Sequence, residues 1–215
     1  MLSLREVLFC KTIFAFHLHN KSVLTKNYKQ IDGYIVGGKD AEEGEFPYQV
    51  SLQKYSSHIC GASIISSEWV VTAAHCIEGN PTEILSIRYG SIHHDSGGEV
   101  AEAIETVAHP SYSDWTLDND IALIRTKTPI KLNSNTVKAI PLPDQDSDVT
   151  AGQSVAITGW GYTTEGVQIL SPILQKITLP AVERSVCREI YKVYNEVTES
   201  MICAGIPEGG VDACQ

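Results

Sequence analysis

From Ile35 onward the chain breaks into short apolar runs separated by clusters of Gly, Pro, Ser and Asn. The runs are Tyr48–Leu52, Ile59–Ile65, Trp69–Ala74, Ile84–Tyr89, Ile104–Ala108, Ile121–Arg125, Ser154–Thr158, Leu174–Leu179 and Met201–Ala204. Many short strands at roughly 8–12 residue spacing predict an all-β sandwich or barrel. One stretch has a different period. Val182, Val186, Ile190 and Val193 recur at helical spacing and predict a helix over Val182–Tyr194. The turn-forming residues Asn133, Ser134, Asn135, Pro141 and Pro143 mark a linker near 131–143.

Residues 1–34 have little pattern and read as a leader and pro-segment. A secretory signal needs an unbroken apolar stretch of about 7–15 residues, and Lys11 interrupts Leu8–Phe16. Asn20-Lys21-Ser22 is a glycosylation sequon.

Composition narrows the class. Hydrophobic residues make up 43 % and charged residues 20 %, the balance of a soluble globular protein. The net charge of −10 argues against nucleic acid as a partner, since that needs a basic face. No run reaches the roughly 18 apolar residues of a membrane span. None of the six cysteines forms a CxxC pair, which argues against zinc and for disulfides in an oxidising compartment. Cys60 and Cys76 bracket one loop, and Cys187 and Cys203 another. Closing loops of this length contributes about 3 kcal/mol each in the chain-entropy model. Cys10 and Cys214 are left over.

His75 is the first candidate for chemistry. An isolated histidine among small apolar residues is ordinarily structural. Here the run Trp69–Thr72 delivers it, Cys76 can tether its loop to Cys60, and Asp120 stands directly before the apolar Ile121-Ala122-Leu123. A carboxylate at the edge of a buried strand must be capped or paired. His75 donating Nδ1–H to Asp120 would pair it and fix the imidazole tautomer, leaving a general base.

Six motifs occur in order: IVGG at 35–38, TAAHC at 72–76, DNDIAL at 118–123, GWG at 159–161, MICAG at 201–205 and DACQ at 212–215. Together they resemble the trypsin-like serine proteases of the chymotrypsin fold, over Ile35–Gln215. SLQ at 51–53 and LSIRYG at 85–90 look most like mite trypsins, including trypsin-type allergens. The resemblance implies two antiparallel β-barrels, the first over about 35–135 and the second over about 140–215. It implies that His75 is the general base and Asp120 its orienting partner. Asp212 and Gln215 would belong to the substrate-binding pocket, with Asp212 taking a substrate Arg or Lys. Ile35 would become a new N-terminus on activation by another protease. Protein or peptide substrates, a secreted monomer and no cofactor follow from the same resemblance.

The family continues after its matching Gln with Gly-Asp-Ser-Gly-Gly, which carries the oxyanion-hole amides and the nucleophile. That run is absent from this sequence, so the expectation is a second barrel truncated at its C-terminus and a chain inactive as written. Two alternatives stay open: a non-catalytic relative that presents a protease-like binding surface, and a fragmentary gene product. Retention of His75, Asp120 and Asp212 together speaks against the binder.

Two positions depart from the family pattern. Tyr34 stands before IVGG, where trypsin zymogens carry Lys or Arg. The segment Ser91-Ile92-His93-His94-Asp95 lacks the glutamates that hold Ca²⁺ in vertebrate trypsins. Its adjacent histidines have no evident third ligand and read as a solvated loop rather than a metal site.

Overall fold

The computed structural model describes residues 12–15, 34–36, 38–133, 135–162, 169–193, 195–206 and 212–214, with the backbone course alone for 12–15, 34–36 and 212–214. The strands are β1 (Thr12–Ala15), β2 (Tyr34–Val36), β3 (Lys39–Asp40), β4 (Gln49–Lys54), β5 (Ser57–Ile64), β6 (Trp69–Thr72), β7 (Leu85–Tyr89), β8 (Glu99–Ala108), β9 (Ala122–Thr126), β10 (Ser154–Gly159), β11 (Gln175–Val182), β12 (Met201–Ala204) and β13 (Asp212–Cys214). The helix α1 is Arg184–Tyr191.

Six strands close a barrel in the order β4-β5-β6-β9-β8-β7, with β7 returning to β4. Every pairing is antiparallel. Closure removes the open edges that would otherwise invite further strand pairing. Side-chain alternation fills the interior. In β7, Leu85, Ile87 and Tyr89 are buried and Ser86 and Arg88 face outward. Val50, Leu52, Ile64, Val70 and Ile124 meet them in one cluster.

The second half is an open sheet among the described residues: β12, β11 and β10 pair antiparallel in that order, β1 joins β12 in parallel and β3 joins β11. Separately, β13 pairs with β2, placing Ala213 opposite Ile35 and Asp212 opposite Val36. Buried Trp160 fastens the halves together, donating from Nε1 to the Ile92 carbonyl at 2.7 Å. Thr158 donates to Gln49 Oε1 across the same seam at 2.7 Å.

The architecture is all-β with little helix, as the spacing of apolar runs predicts. Two local readings change. The helix is shorter than Val182–Tyr194, because Val182 ends β11. Its buried residue is Cys187, in disulfide with Cys203, whereas Val186 and Val193 are exposed. A disulfide, two arginine clamps and the packing of Ile190 and Tyr191 against Cys187, Val197, Met201 and Cys203 therefore seat this helix, without Val186 or Val193. The described residues of 131–143 have no regular element yet are bound to the barrel. Asn133 Oδ1 accepts from the backbone N–H groups of Asn135, Thr136 and Val137, and the N–H of Ile140 donates to the Ile64 carbonyl. The sequon at Asn20, Cys10 and most of the leader lie outside the described residues.

Candidate active site

The end of β6 builds the site. Thr72 Oγ1 donates to the Gly61 carbonyl at 2.9 Å, fixing the strand's end to β5. Ala73 is extended, and a single 3₁₀ turn follows over Ala74–Cys76. The disulfide between Cys60 and Cys76 pins that turn to β5. His75 is thus held on both sides while its imidazole projects outward, with 39 % of the side chain exposed.

Asp120 comes from the other side, just before β9. Ile121 N–H donates to the Asn119 carbonyl at 2.8 Å, which makes a three-residue turn centred on Asp120. The Asp120 side chain is fully buried. Both of its oxygens are used by one residue: Oδ1 accepts from the His75 backbone N–H at 2.9 Å, and Oδ2 lies 2.7 Å from His75 Nδ1. A carboxylate only accepts, so Nδ1 carries the hydrogen and Nε2 keeps its lone pair. A buried carboxylate is tolerated because these two bonds replace its water. The pair can therefore hold a base in a fixed tautomer and stabilise the imidazolium formed when the base takes a proton.

Nε2 touches Cys76 Sγ at 3.4 Å. Neither atom carries a hydrogen, so this is a packing contact and the lone pair stays available. Among the described residues no serine hydroxyl is bonded to Nε2. The ligand-type atoms of Cys60, His75 and Cys76 lie close together, but the disulfide uses both sulfurs, so they are not a metal-ligand set. Tyr112 packs against the hydrophobic cluster that includes Ala74 and Cys76. Burial, followed by the charges of Asp120, Glu78 and Asp114, pushes its phenol up to about 12, so it stays neutral.

The loop from Ser113 to Asp120 is tightly fastened. Leu117 and Asn119 both have a φ of 54°, a left-handed conformation that is costly for leucine and persists only when neighbours over-determine it. Ser113 N–H donates to the Asp118 carbonyl, and Asn195 Nδ2 donates to the Thr116 carbonyl at 2.7 Å. Asp118, Thr198 and Ser200 complete the fastening. These three residues form no catalytic pattern in the sequence; the one signal there is the pair of carboxylates flanking Asn119.

The remaining sequence candidates fall in different places. Ile35 and Asp212 lie on neighbouring backbone strands, β2 and β13. Gln215 lies outside the described residues. His93 and His94 are half-buried rather than fully solvated. His93 Nδ1 donates to the Pro172 carbonyl at 3.0 Å. The His94 ring packs against His58 and Trp160, with centroids 5.3 and 6.4 Å away. The neighbour that alters the reading is His58, far earlier in the chain on β5, which local sequence could not reveal.

Comparison with known proteins identifies the family. The family model described as Trypsin matches residues 35–215. Trypsin Blo t 3 of Blomia tropicalis is 44 % identical over 97 % of this chain and 80 % of its own length. Trypsin Tyr p 3.0101 of Tyrophagus putrescentiae is 42 % identical over 89 % and 68 %. Among solved structures, the scabies mite inactivated protease paralogue S-D1 superposes with a TM-score of 0.74 at 31 % identity, covering 83 % of this chain and 79 % of that one. No helix among the described residues is long and apolar enough to cross a membrane. The chain belongs to the trypsin family, the trypsin-like serine endopeptidases.

Proposed function

We propose that His75 is the general base and then the general acid of peptide-bond hydrolysis, with Asp120 as its orienting partner. The observation that carries this is the 2.7 Å contact of Nδ1 with a fully buried carboxylate, which leaves the Nε2 lone pair facing out. In the acylation step, Nε2 removes the proton from a serine hydroxyl as its oxygen bonds to the scissile carbonyl carbon. It then returns the proton to the leaving amine, and deacylation repeats the sequence with water. The nucleophile is a serine outside the described residues.

Substrates are proteins or peptides with Arg or Lys at the cleavage site, drawn in by the carboxylate of Asp212 and the neighbouring Gln215. The enzyme is made as a zymogen. Cleavage between Tyr34 and Ile35 frees the Ile35 amine, and Tyr34 at that bond requires a separate activating protease, since a pocket floored by Asp212 favours a cation. Two disulfides support secretion into an oxidising compartment. We read it as a monomer that needs no cofactor.

The test compares the 215-residue chain with the product read from its transcript through the codons after Gln215, each activated at Ile35. On an Arg-amide substrate the 215-residue chain should give no turnover, and the longer product should turn over and lose that activity in His75→Ala. Activity in the shorter chain, or activity that survives His75→Ala, overturns the assignment.

A further inference from the structure

Two side chains outside the His75–Asp120 pair, Thr198 and Ser200, converge on the residues just before Asp120. Asp118 Oδ1 accepts from Thr198 Oγ1 at 2.5 Å and from Ser200 Oγ at 2.6 Å. Ser200 Oγ in turn accepts from the Asn119 backbone N–H at 3.2 Å. Asp118 Oδ2 accepts from Asn119 Nδ2 at 3.1 Å. Residues 118 and 119 are thus gripped at the carboxylate, the amide side chain and the backbone N–H. Asn119 is held in a left-handed conformation in the process. The next residue is Asp120.

The grip is anchored in the other half of the molecule. Thr198 and Ser200 lie in the segment leading into β12. Arg188 Nε donates to the Val197 carbonyl at 2.7 Å, and Glu199 is paired with both Arg184 and Arg188 at 3.0 and 2.6 Å. The disulfide between Cys187 and Cys203 ties the same segment to α1. A continuous set of bonds therefore runs from that disulfide through Thr198 and Ser200 to Asp118, Asn119, Asp120 and His75.

We propose that Asp118, held by the hydroxyls of Thr198 and Ser200, is a positioning residue that sets the Asp120 carboxylate on His75 from the second half of the molecule. This rests on the reading of His75 and Asp120 as the catalytic pair. Asp118 is suited to the task. Burial works against its charge, but hydrogen bonds from Ser200, Thr198 and Asn119, with His109 nearby, hold its carboxyl below the usual range. An ionised acceptor makes stronger bonds than a neutral one and has no hydrogen of its own to compete with. Misplacing a catalytic group by about 1 Å costs on the order of 10²-fold in rate, so a fastening one residue away has leverage on chemistry without touching substrate.

The experiment separates fastening from charge. Thr198→Val/Ser200→Ala removes both donors and keeps the Asp118 carboxylate. Asp118→Asn removes the charge and keeps the shape. Thr198→Ser keeps the donor. In the 215-residue chain, nitrogen-labelled histidine reports the His75 titration midpoint and the Nδ1–H proton signal. In the longer, activated product, kcat and KM are measured separately. The double variant should lower the His75 midpoint and broaden the Nδ1–H signal by faster exchange with water. It should reduce kcat by about 10- to 100-fold with KM within about twofold, while Thr198→Ser matches the wild type. An unchanged midpoint and signal in the double variant overturns the proposal. So does a midpoint that falls in Asp118→Asn alone, which would make Asp118 a nearby charge and nothing more. If the double variant fails to fold, Ser200→Ala removes the hydroxyl shared by Asp118 and Asn119 N–H. A lowered midpoint in that variant supports the positioning role, and an unchanged one overturns it. A wild-type product without turnover would sink the protease reading, while the His75 signals would still decide the positioning role.

Discussion

The imidazole of His58 packs against that of His94 with centroids 5.3 Å apart, and Trp160 closes over both. Ser51 Oγ sits 2.7 Å from His58 Nδ1, so the ring has a neutral partner. Burial, and then repulsion from His94, lowers the His58 pKa from 6.5 to about 4. The folded value lies below the unfolded one. His58 therefore contributes stability that is fully present above pH 6.5 and is lost as pH falls through about 4. The loss should reach about 2–3 kcal/mol, a little under the full linkage value because the ring is not completely buried. Urea midpoints at about pH 7, 5.5 and 4 should decline in the wild type. In His58→Gln the decline over this window should be much shallower, and equal slopes in both proteins would contradict the assignment.

Asp120→Asn keeps the size of the side chain and removes its charge. An amide can offer N–H to His75 Nδ1, which would drive the imidazole hydrogen onto Nε2 and abolish the base. In the activated longer product kcat should fall by about 10⁴-fold with little change in KM, the size of effect this type of catalytic pair shows elsewhere. A loss confined to KM would mean that Asp120 serves substrate binding and not the base.

Hydrogen exchange should separate the two halves. In β4 five consecutive residues are buried, while β10 has one buried position in six. The barrel has no open edge, whereas β10 is an edge strand of its sheet. Amides of β4 and β9 should exchange near the global rate and those of β10 by local opening, with protection lower by at least about 100-fold. Equal protection in β4 and β10 would show a single cooperative unit.

The candidate pair was legible because it depends on local signals. Thr72 to Cys76 and Asp118 to Leu123 each hold a candidate residue beside the strand that positions it. Strand positions were legible for the same reason, since short apolar runs set off by turn-forming residues overlap β4, β6, β7 and β9. Contacts that join distant segments were not. His58 meeting His94, and Asp118 meeting Thr198 and Ser200, depend on how β5 and the segment before β12 are placed. The helix misled through Val186 and Val193, which share the apolar spacing of Ile190 but are exposed, while Ile190 packs on the cluster around the Cys187 disulfide.

Two glycines with positive φ give a controlled contrast. Gly98 has a φ of 58°, and a Cβ there would strike the Tyr89 carbonyl and the Gly90 backbone. Gly79 has a φ of 66° and open space around it. Gly79→Ala should cost about 1 kcal/mol, the conformational penalty alone. Gly98→Ala adds a clash with backbone that cannot move aside, so its cost should exceed about 3 kcal/mol. Chemical denaturation of both variants checks this. Similar costs would mean that the β7–β8 connection yields more readily than its packing implies.

The choice between Arg and Lys should follow from the residue after Asp212. That position is Ala213, on β13, where many relatives of the trypsin type place a serine. A lysine ammonium is compact and strongly hydrated. It loses more on burial and gains more from an extra hydroxyl acceptor. A guanidinium reaches a carboxylate with a two-pronged fork and depends less on that hydroxyl. The activated longer product should therefore prefer Arg over Lys at the cleavage site in kcat/KM, and Ala213→Ser should narrow the ratio by improving Lys. Asp212→Ser should abolish both activities if Asp212 is the charge partner. Equal kcat/KM values for matched Arg and Lys substrates, or a preference for Lys, would break the argument. An unchanged ratio in Ala213→Ser would show that the missing hydroxyl is not what sets it.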